Sequence, residues 1–273
     1  MSTLHRPWGR LLIAAVCLIS PYLVSAANET ILTREQIKQF LLTAEIVGSK
    51  QSNKGVTQPW RLTLSDGTFT HDASFQAVDE HKTNKTMAGG RVEMNFVDSY
   101  KYNLAACALA ELVGVDDLLP VYVERSWHGN AGSLSWWLPV KMDEADRIKQ
   151  NIAPPDPVAW NNQMYKVRVF DQLVYDDDPN LTNVLIGQDF KIWRVDFSRA
   201  FRPYKDLRNA KDLVRCDRQL FEKLKALDPN ELATKTKGYL SKDEVKAVMA
   251  RRDKIVTQFQ KMISEKGEEE VLY

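Results

Sequence analysis

The stretch that decides the fold runs from Val169 to Phe201 and reads VFDQLVYDDDPNLTNVLIGQDFKIWRVDFSRAF. Within it, Asn183 follows Asp178 by five positions, and Asp196 follows Asn183 by thirteen. The residues between Asn183 and Asp196 read as two strands around a turn at Gly187–Asp189. Because a hairpin returns the chain on itself, we expect Asn183 and Asp196 to meet at one end of it.

Oxygen-bearing side chains in this arrangement suit phosphoryl transfer. A nucleoside triphosphate arrives with Mg²⁺, a hard cation that prefers oxygen ligands. One carboxylate and one amide oxygen can hold the metal against the phosphates, and a second carboxylate can orient an attacking hydroxyl and accept its proton. The alternative is a plain turn between a helix and a hairpin, since turns favour Asp and Asn for their own reasons. That description also fits Asp176, Asp177, Asp178 and Asn180.

The same segment resembles the protein-kinase-like superfamily, whose catalytic loop has an Asp, four residues and an Asn, followed by a strand pair and Asp-Phe-Gly. The segments DPNLTN and VDFSRAF carry the resemblance. They are most similar to the atypical branch, which includes phosphatidylinositol-kinase-like proteins, secretory-pathway kinases and a group of exported bacterial proteins. The resemblance implies an ATP- and Mg²⁺-dependent phosphotransferase, with Asp178 as catalytic base and with Asn183 and Asp196 as metal ligands. It also implies an α+β, two-lobed fold with a β-rich N-lobe and a helical C-lobe.

The chain departs from the family pattern at several positions. Pro179 stands where an arginine is expected, and Ser198 replaces the glycine after Asp-Phe. In the predicted strand ASFQAV, Gln76 stands where a phosphate-binding lysine is expected. Lys82 is the nearest alternative, past the predicted end of that strand. Losing the lysine would weaken catalysis without necessarily abolishing nucleotide binding.

Other positions of the predicted nucleotide site have two interpretations each. The helix partner of the lysine is Glu93 or Glu111, and Asn103 stands where related atypical kinases carry a glutamate. Trp137, in SLSWWLP, falls near the expected interlobe hinge, where an adenine could pack; Trp136 and Trp137 could equally be aromatics of a half-buried strand. The candidate cofactor-binding residues are therefore Gln76, Lys82, Glu93 and Trp137. Arg199 and Arg202 could bind phosphate or pair with the acidic run at 176–178.

The rest of the chain places strands before a proline-marked break and helices after it. A capping box of Thr33 and Gln36 opens the first helix. The other predicted elements are strands within 45–78, a polar flexible stretch at 82–91, a helix over 96–113, a hairpin around 128–132, and helices over 143–151, 158–175, 214–227 and 241–263. We predict an N-lobe over 28–142 and a C-lobe over 143–273. The basic residues of ARRDKIV, 250–256, are interpreted as solvated, and the tail GEEEVLY as frayed.

Composition limits the compartment and the partners. The formal net charge is +1, which points to no nucleic-acid or anionic-membrane partner. Residues 1–27 have the basic start, short apolar run and small residues of a secretory signal, so we expect a protein exported to a periplasm or secreted, without a stable anchor after cleavage. Cys107 and Cys216 remain after cleavage; export makes a disulfide possible, but a free buried thiol is the commoner outcome for a cysteine in an apolar run.

Three functions are consistent with these features. The first is a phosphotransferase that moves a phosphoryl group from ATP to a hydroxyl of an acceptor that the sequence does not identify. The second is a catalytically impaired pseudokinase, which uses the same fold to bind a nucleotide or to act as a scaffold. The third is an interaction protein whose Asp and Asn residues only form turns.

Overall fold

A computed structural model of the chain describes Met1 and residues 32–51, 59–87, 89–90, 92–178 and 180–273. Apart from Met1, the predicted signal peptide lies outside the described residues, as does Pro179. In the described part of the chain, no helix is long and apolar enough to cross a membrane. Residues Thr33–Tyr273 form one compact unit.

The strands, in chain order, are β1 (Glu45–Gln51), β2 (Trp60–Ser65), β3 (Thr70–Gln76), β4 (Asp79–Thr86), β5 (Val92–Ser99), β6 (Tyr122–Trp127), β7 (Asn130–Trp136), β8 (Val140–Asp143), β9 (Val184–Gly187) and β10 (Ile192–Arg194). The helices are α1 (Arg34–Thr43), α2 (Tyr100–Val113), α3 (Glu144–Lys149), α4 (Pro157–Val174), α5 (Arg218–Ala226), α6 (Pro229–Lys235), α7 (Lys242–Lys266) and α8 (Glu268–Val271).

A five-stranded antiparallel sheet dominates the N-terminal half, in the order β1-β2-β3-β7-β6. Successive side chains of a strand point to opposite faces. Leu62 and Leu64 of β2 and Phe75 of β3 are accordingly buried in one core, which α1 covers with Phe40 and Leu41. The predicted capping box at the start of α1 is present. This part of the molecule therefore has its own apolar core.

A separate two-stranded hairpin, β4–β5, leads from the sheet into α2. The predicted flexible stretch at 82–91 is wrong over its first five residues, because β4 extends to Thr86. The predicted start of the next helix is also wrong. Residues 96–99 belong to β5, and α2 begins at Tyr100 after a cap from the Ser99 side chain. The apolar positions of 96–99 extend the helical pattern in sequence, but they pair with β4 in the structure.

Helices pack around a larger core in the C-terminal half. Leu173 of α4, Phe221 of α5 and Phe259 of α7 share it with residues of α2. The predicted capping box of α7, formed by Ser241 and Glu244, is present. The tail is not frayed as predicted, because α8 places Val271 and Leu272 in this core.

The fold is α+β and two-lobed, with a β-rich N-lobe and a helical C-lobe, as expected. The predicted lobe boundary at 142/143 falls inside β8, which pairs with β9 in a three-stranded sheet, β10-β9-β8; the boundary itself stays a prediction. Cys107 and Cys216 are both buried and free.

Candidate functional site

The hairpin β9–β10 brings Asn183 and Asp196 to one end, as the spacing predicts. Val184 pairs with Arg194, and one step further the Val195 N–H donates to the Asn183 carbonyl at 3.0 Å. Asp196 therefore follows directly after a residue that is bonded to Asn183. Its side chain is exposed, and that of Asn183 is half-buried. Both side chains can present oxygen atoms to a ligand at this end of the hairpin.

The backbone of Asp196 adopts an unusual conformation that its neighbours hold in place. Its φ is +61°, in the left-handed region that aspartate tolerates better than most residues. On one side, the Val195 N–H is bonded to Asn183; on the other, the Phe197 N–H donates to the Asn103 side-chain oxygen at 2.8 Å. Such conformations persist where the surroundings over-determine them, and they are concentrated at functional sites.

The loop that carries Asp178 begins where α4 ends. Helix α4 is closed by Tyr175 in the left-handed conformation. Asp176 turns inward to a buried ion pair with Arg194 of β10, and its Oδ1 accepts from the Asp178 N–H at 3.1 Å. Asp178 itself is exposed. The acidic run is therefore divided: Asp176 anchors the loop, and Asp178 remains exposed.

Electrostatics link these carboxylates. Burial raises the pKa of Asp176, and the negative charges of Asp178 and Asp196 add to that effect while Arg194 opposes it. Burial also raises the pKa of Asp171, the second carboxylate on Arg194, to about 7. Since Asp178 and Asp196 both act on Asp176, the two candidate functional carboxylates lie in one region of the molecule.

A buried arginine fixes the other side of this loop. Arg251 of α7 is fully buried; its Nε donates to the Leu173 carbonyl at 2.8 Å and its Nη1 to the Arg202 carbonyl at 3.0 Å. These bonds join the end of α4 to the segment after Asp-Phe-Ser. The interpretation of Arg251 as solvated is therefore wrong. The sequence shows a basic helix face, but this arginine is buried because it donates to backbone carbonyls that would otherwise lack a hydrogen-bond donor.

The upper half of the site contains a neutral pair where the resemblance to kinases predicts a charged one. The side-chain amide of Asn103 on α2 donates to Gln76 Oε1 on β3 at 2.7 Å. Its oxygen accepts from the Phe197 N–H. One asparagine therefore connects the strand, the helix and the Asp196 segment. This is the connection expected of the lysine–glutamate pair, but it carries no charge.

Asp98 is a part of the site that the sequence did not indicate. It lies on β5, only 9% exposed, and among the described residues its Oδ1 has no hydrogen-bond partner. The Ser99 N–H donates to the Ser198 carbonyl at 2.8 Å, which holds Asp98 beside Asp-Phe-Ser. Burial raises the pKa of Asp98, and the charge of Asp196 adds to this increase. The residues were predicted as a helix, so no pattern pointed to a strand carboxylate here.

Lys82 and Glu93 both lie on the β4–β5 hairpin. Lys82 lies past the end of β3, as predicted, but it belongs to the next strand, β4, and its ammonium pairs with Glu80. Glu93 is on strand β5, so it is not the helix partner of a lysine; Asn103 takes that place. Glu93 instead pairs with Arg199 and Arg202, both nearly buried. We refer to Glu93, Arg199 and Arg202 as the hairpin clamp.

Trp136 and Trp137 separate at the end of β7. Trp136 stacks on His71 with ring centroids 3.5 Å apart and lies edge-on to Phe40 of α1, so its role is in the N-lobe core. The backbone N–H of Trp137 donates to the Asp72 carbonyl at 3.1 Å. The Arg61 guanidinium lies over the Trp137 ring, 4.4 Å from its centroid. Trp137 is half-buried and remains a candidate for an adenine contact.

The oxygen-bearing side chains of the site suit a hard divalent cation, but they are too few to complete its coordination. Asp98, Asn183 and Asp196 offer oxygens, and the unpartnered Asp98 oxygen is buried at the cost of its hydration. In the described part of the chain, however, no three carboxylate, histidine or thiolate groups could hold a metal ion by themselves. A metal bound here would need further oxygens from a ligand, as a nucleotide's phosphates provide.

The chain has an atypical protein-kinase-like fold. No family model matches the chain, and no curated protein matches it. Solved structures do match, at identities that establish the fold alone.

Three of these neighbours are kinases or kinase-related proteins. Hydra Fam20, solved with sugar, is 15% identical with a TM-score of 0.63, covering 88% of this chain and 91% of its own. The Golgi casein kinase with Mn/ADP bound is 12% identical with a TM-score of 0.60, covering 88% of this chain and 78% of its own. The Helicobacter pylori proinflammatory kinase CtkA is 12% identical with a TM-score of 0.52, covering 83% of this chain and 98% of its own.

Proposed function

We propose that this protein binds Mg-ATP in its cleft and transfers a phosphoryl group to a hydroxyl acceptor. The observation that carries the proposal is the joining of Asn183 to the Asp196 segment at the end of β9–β10, with Asp178 on the adjoining loop. A structural neighbour contains Mn/ADP, which supports a metal–nucleotide ligand for a site of this design.

Each residue has a role that follows from its position. Asp196, Asn183 and the unpartnered Oδ1 of Asp98 would hold the divalent cation, which neutralises charge on the phosphates. Asp178 is exposed and lies on a loop fixed through Asp176, so it can orient a hydroxyl and accept its proton. The protein's contribution is then mostly positioning of charges and reactants.

The alternative is a pseudokinase, and one observation favours it. Gln76 and Asn103 replace the charged pair with a hydrogen bond between two neutral amides. Such a pair keeps α2 in contact with the Asp196 segment but supplies no positive charge to the phosphates. In this alternative, the protein binds a nucleotide as a structural ligand or acts as a scaffold.

Thermal unfolding with and without Mg-ATP tests binding first. A ligand that binds only the native state raises the unfolding midpoint by mass action. We expect Mg-ATP to raise the midpoint of the wild type and of Asp178→Ala, but not of Asp196→Ala, since of these two residues Asp196 alone is assigned to the metal. If no protein shows a shift, neither nucleotide-binding function holds.

Transfer of radiolabel from ATP then separates the two functions. The labelled product is followed on the protein itself and on a generic protein acceptor. Transfer that is lost in Asp178→Ala selects the phosphotransferase. The pseudokinase is selected if the wild type binds Mg-ATP but transfers label to no acceptor faster than Asp178→Ala does.

We also propose that the protein is exported to a periplasm or secreted. The basic start, apolar run and small residues of 1–27 support this proposal. Expression of the full chain in a secreting host, followed by N-terminal sequencing, tests it. A mature terminus close to residue 28 is expected, and an intact Met1 in the cytosolic fraction would contradict export.

A further inference from the structure

A triphosphate site without a strand lysine needs another source of positive charge. The phosphate chain is highly anionic, and charge-assisted contacts from Lys or Arg are its usual protein partners. Gln76 is neutral and bonded to Asn103. Arg194 of β10 lies over the Phe197 ring, but it is buried and bound to Asp171 and Asp176. Two other described cations, from the β4–β5 hairpin and from the segment after Asp196, lie near the strand that carries Asp98.

Lys85 is the hairpin cation in the best position. Its Nζ lies 3.9 Å from the centroid of the Phe96 ring, and the Arg199 guanidinium lies 5.2 Å from the same centroid. Phe96 is only 2% exposed. Two cations therefore flank one buried ring, two residues before Asp98. Lys85 also forms an ion pair with Glu80 at 2.6 Å.

The hairpin clamp fixes where Lys85 lies. Lys85 is the direct cross-strand partner of Glu93, and Glu93 is held by Arg199 and Arg202. Arg199 comes three residues after Asp196, so the clamp ties the hairpin to the candidate metal site.

We propose that Lys85 supplies the phosphate-binding cation that strand β3 lacks, so that the polyphosphate is held from the hairpin. This inference rests on the proposed nucleotide site. The side chain of Lys85 is 32% exposed, so its ammonium can reach a ligand in the cleft. Glu80 would retain Lys82, its second partner, when Lys85 turns to a phosphate.

Lys82 provides a matched control on the same strand. It pairs with the same carboxylate, Glu80, but its side chain is 50% exposed. Removing either lysine changes the net charge by the same amount and leaves one ion pair on Glu80. A difference between Lys82→Met and Lys85→Met therefore reports position, not net charge.

The test compares affinities of the full chain for Mg-ATP, Mg-ADP and adenosine, measured by displacement of a fluorescent ATP analogue. We expect Lys85→Met to weaken Mg-ATP and Mg-ADP binding by about tenfold or more, the size of a lost charge-assisted hydrogen bond. Adenosine affinity should change less than about twofold. Lys82 is the competing candidate from the sequence, and Lys82→Met should weaken Mg-ATP binding much less than Lys85→Met does. Lys85→Arg should retain most of the wild-type affinity, and unliganded melting midpoints should stay close to wild type.

Two results would overturn the inference while the proposed function stands. One is a Lys85→Met affinity for Mg-ATP equal to that of Lys82→Met. The other is an equal loss for adenosine and Mg-ATP, since that indicates a general structural effect. A wild-type protein that binds no Mg-ATP would instead overturn the proposed function itself, and this inference with it.

Discussion

Asn103 is the residue on which the two halves of the site depend. Its amide donates to Gln76, and its oxygen accepts from the Phe197 N–H, next to Asp196. The side chain is buried, so water cannot replace either bond. A neutral amide can satisfy both partners at once, which explains how the site keeps its geometry without a lysine–glutamate pair.

Replacing Asn103 by Ala should destabilise the fold by about 2–3 kcal/mol, because it leaves the Phe197 N–H buried without an acceptor. Gln76→Ala should cost about 1 kcal/mol, since Gln76 is half-buried and water can reach part of its site. Chemical denaturation of both variants measures these free energies of unfolding. A cost for Asn103→Ala no larger than that for Gln76→Ala would show that Asn103 is not the central connection.

Asp171 and Asp176 share one guanidinium, and this should give stability a distinct pH dependence. Burial raises the pKa of Asp171 from its ordinary value of 3.8 to about 7 in the native state, against the opposing charge of Arg194. The native state therefore binds more protons between these values, and the free energy of unfolding should fall as pH rises through that window.

Asp171→Asn should remove much of this fall and stabilise the protein at pH 8 by about 2 kcal/mol. Denaturation at a series of pH values gives the difference between variant and wild type. Asp206→Asn is the control, because Asp206 is exposed and pairs with Lys254 at the surface. Lys254 lowers the pKa of Asp206, so this variant should retain the wild-type fall in stability between about pH 5 and 7. A flat difference between Asp171→Asn and wild type from pH 4 to 7 would refute the assignment.

At the scale of elements, the β4–β5 hairpin is attached to the C-lobe through the clamp. Glu93 has a 10% exposed side chain, and Arg202 one that is 6% exposed. Removing the charge of Glu93 is costly, because Arg199 and Arg202 stay nearly buried and keep only the longer contacts with Asp177, at 3.8 and 3.3 Å, among their described carboxylate partners. The hairpin should therefore open as a unit when the clamp is broken.

Glu93→Gln should increase amide hydrogen exchange across residues 79–99 by about tenfold or more, while exchange in β2 and β3 stays at the wild-type rate. Glu80→Gln is the control on the same hairpin. Its ion pairs with Lys82 and Lys85 are more exposed, and such pairs contribute below about 1 kcal/mol. Equal exchange in the two variants would mean that the clamp does not hold the hairpin.

At the scale of the whole molecule, the sequence predicts the two-lobed α+β fold and the meeting of Asn183 with Asp196. Both rest on local patterns: residue spacing, a turn at Gly187–Asp189 and helix caps. The predictions that were wrong concern residues whose structure depends on contacts with residues distant in sequence. Residues 96–99 continue a helical pattern in sequence but pair with β4, so the sequence did not indicate Asp98 as a strand residue of the site. Arg251 lies on a basic helix face in sequence, but in the structure it is buried against the end of α4 and the Arg202 segment.

The catalytic and metal-binding roles of the predicted residues stay predictions, and one measurement tests them most directly. Crystals grown with Mn²⁺ and a non-hydrolysable ATP analogue give an anomalous difference map that locates the metal. We predict one manganese peak within coordination distance of Asp196 and of Asp98 or Asn183, absent in crystals of Asp196→Ala. Bound nucleotide with no manganese at Asp196, or a peak that persists in Asp196→Ala, would contradict a kinase-like metal site at this end of β9–β10.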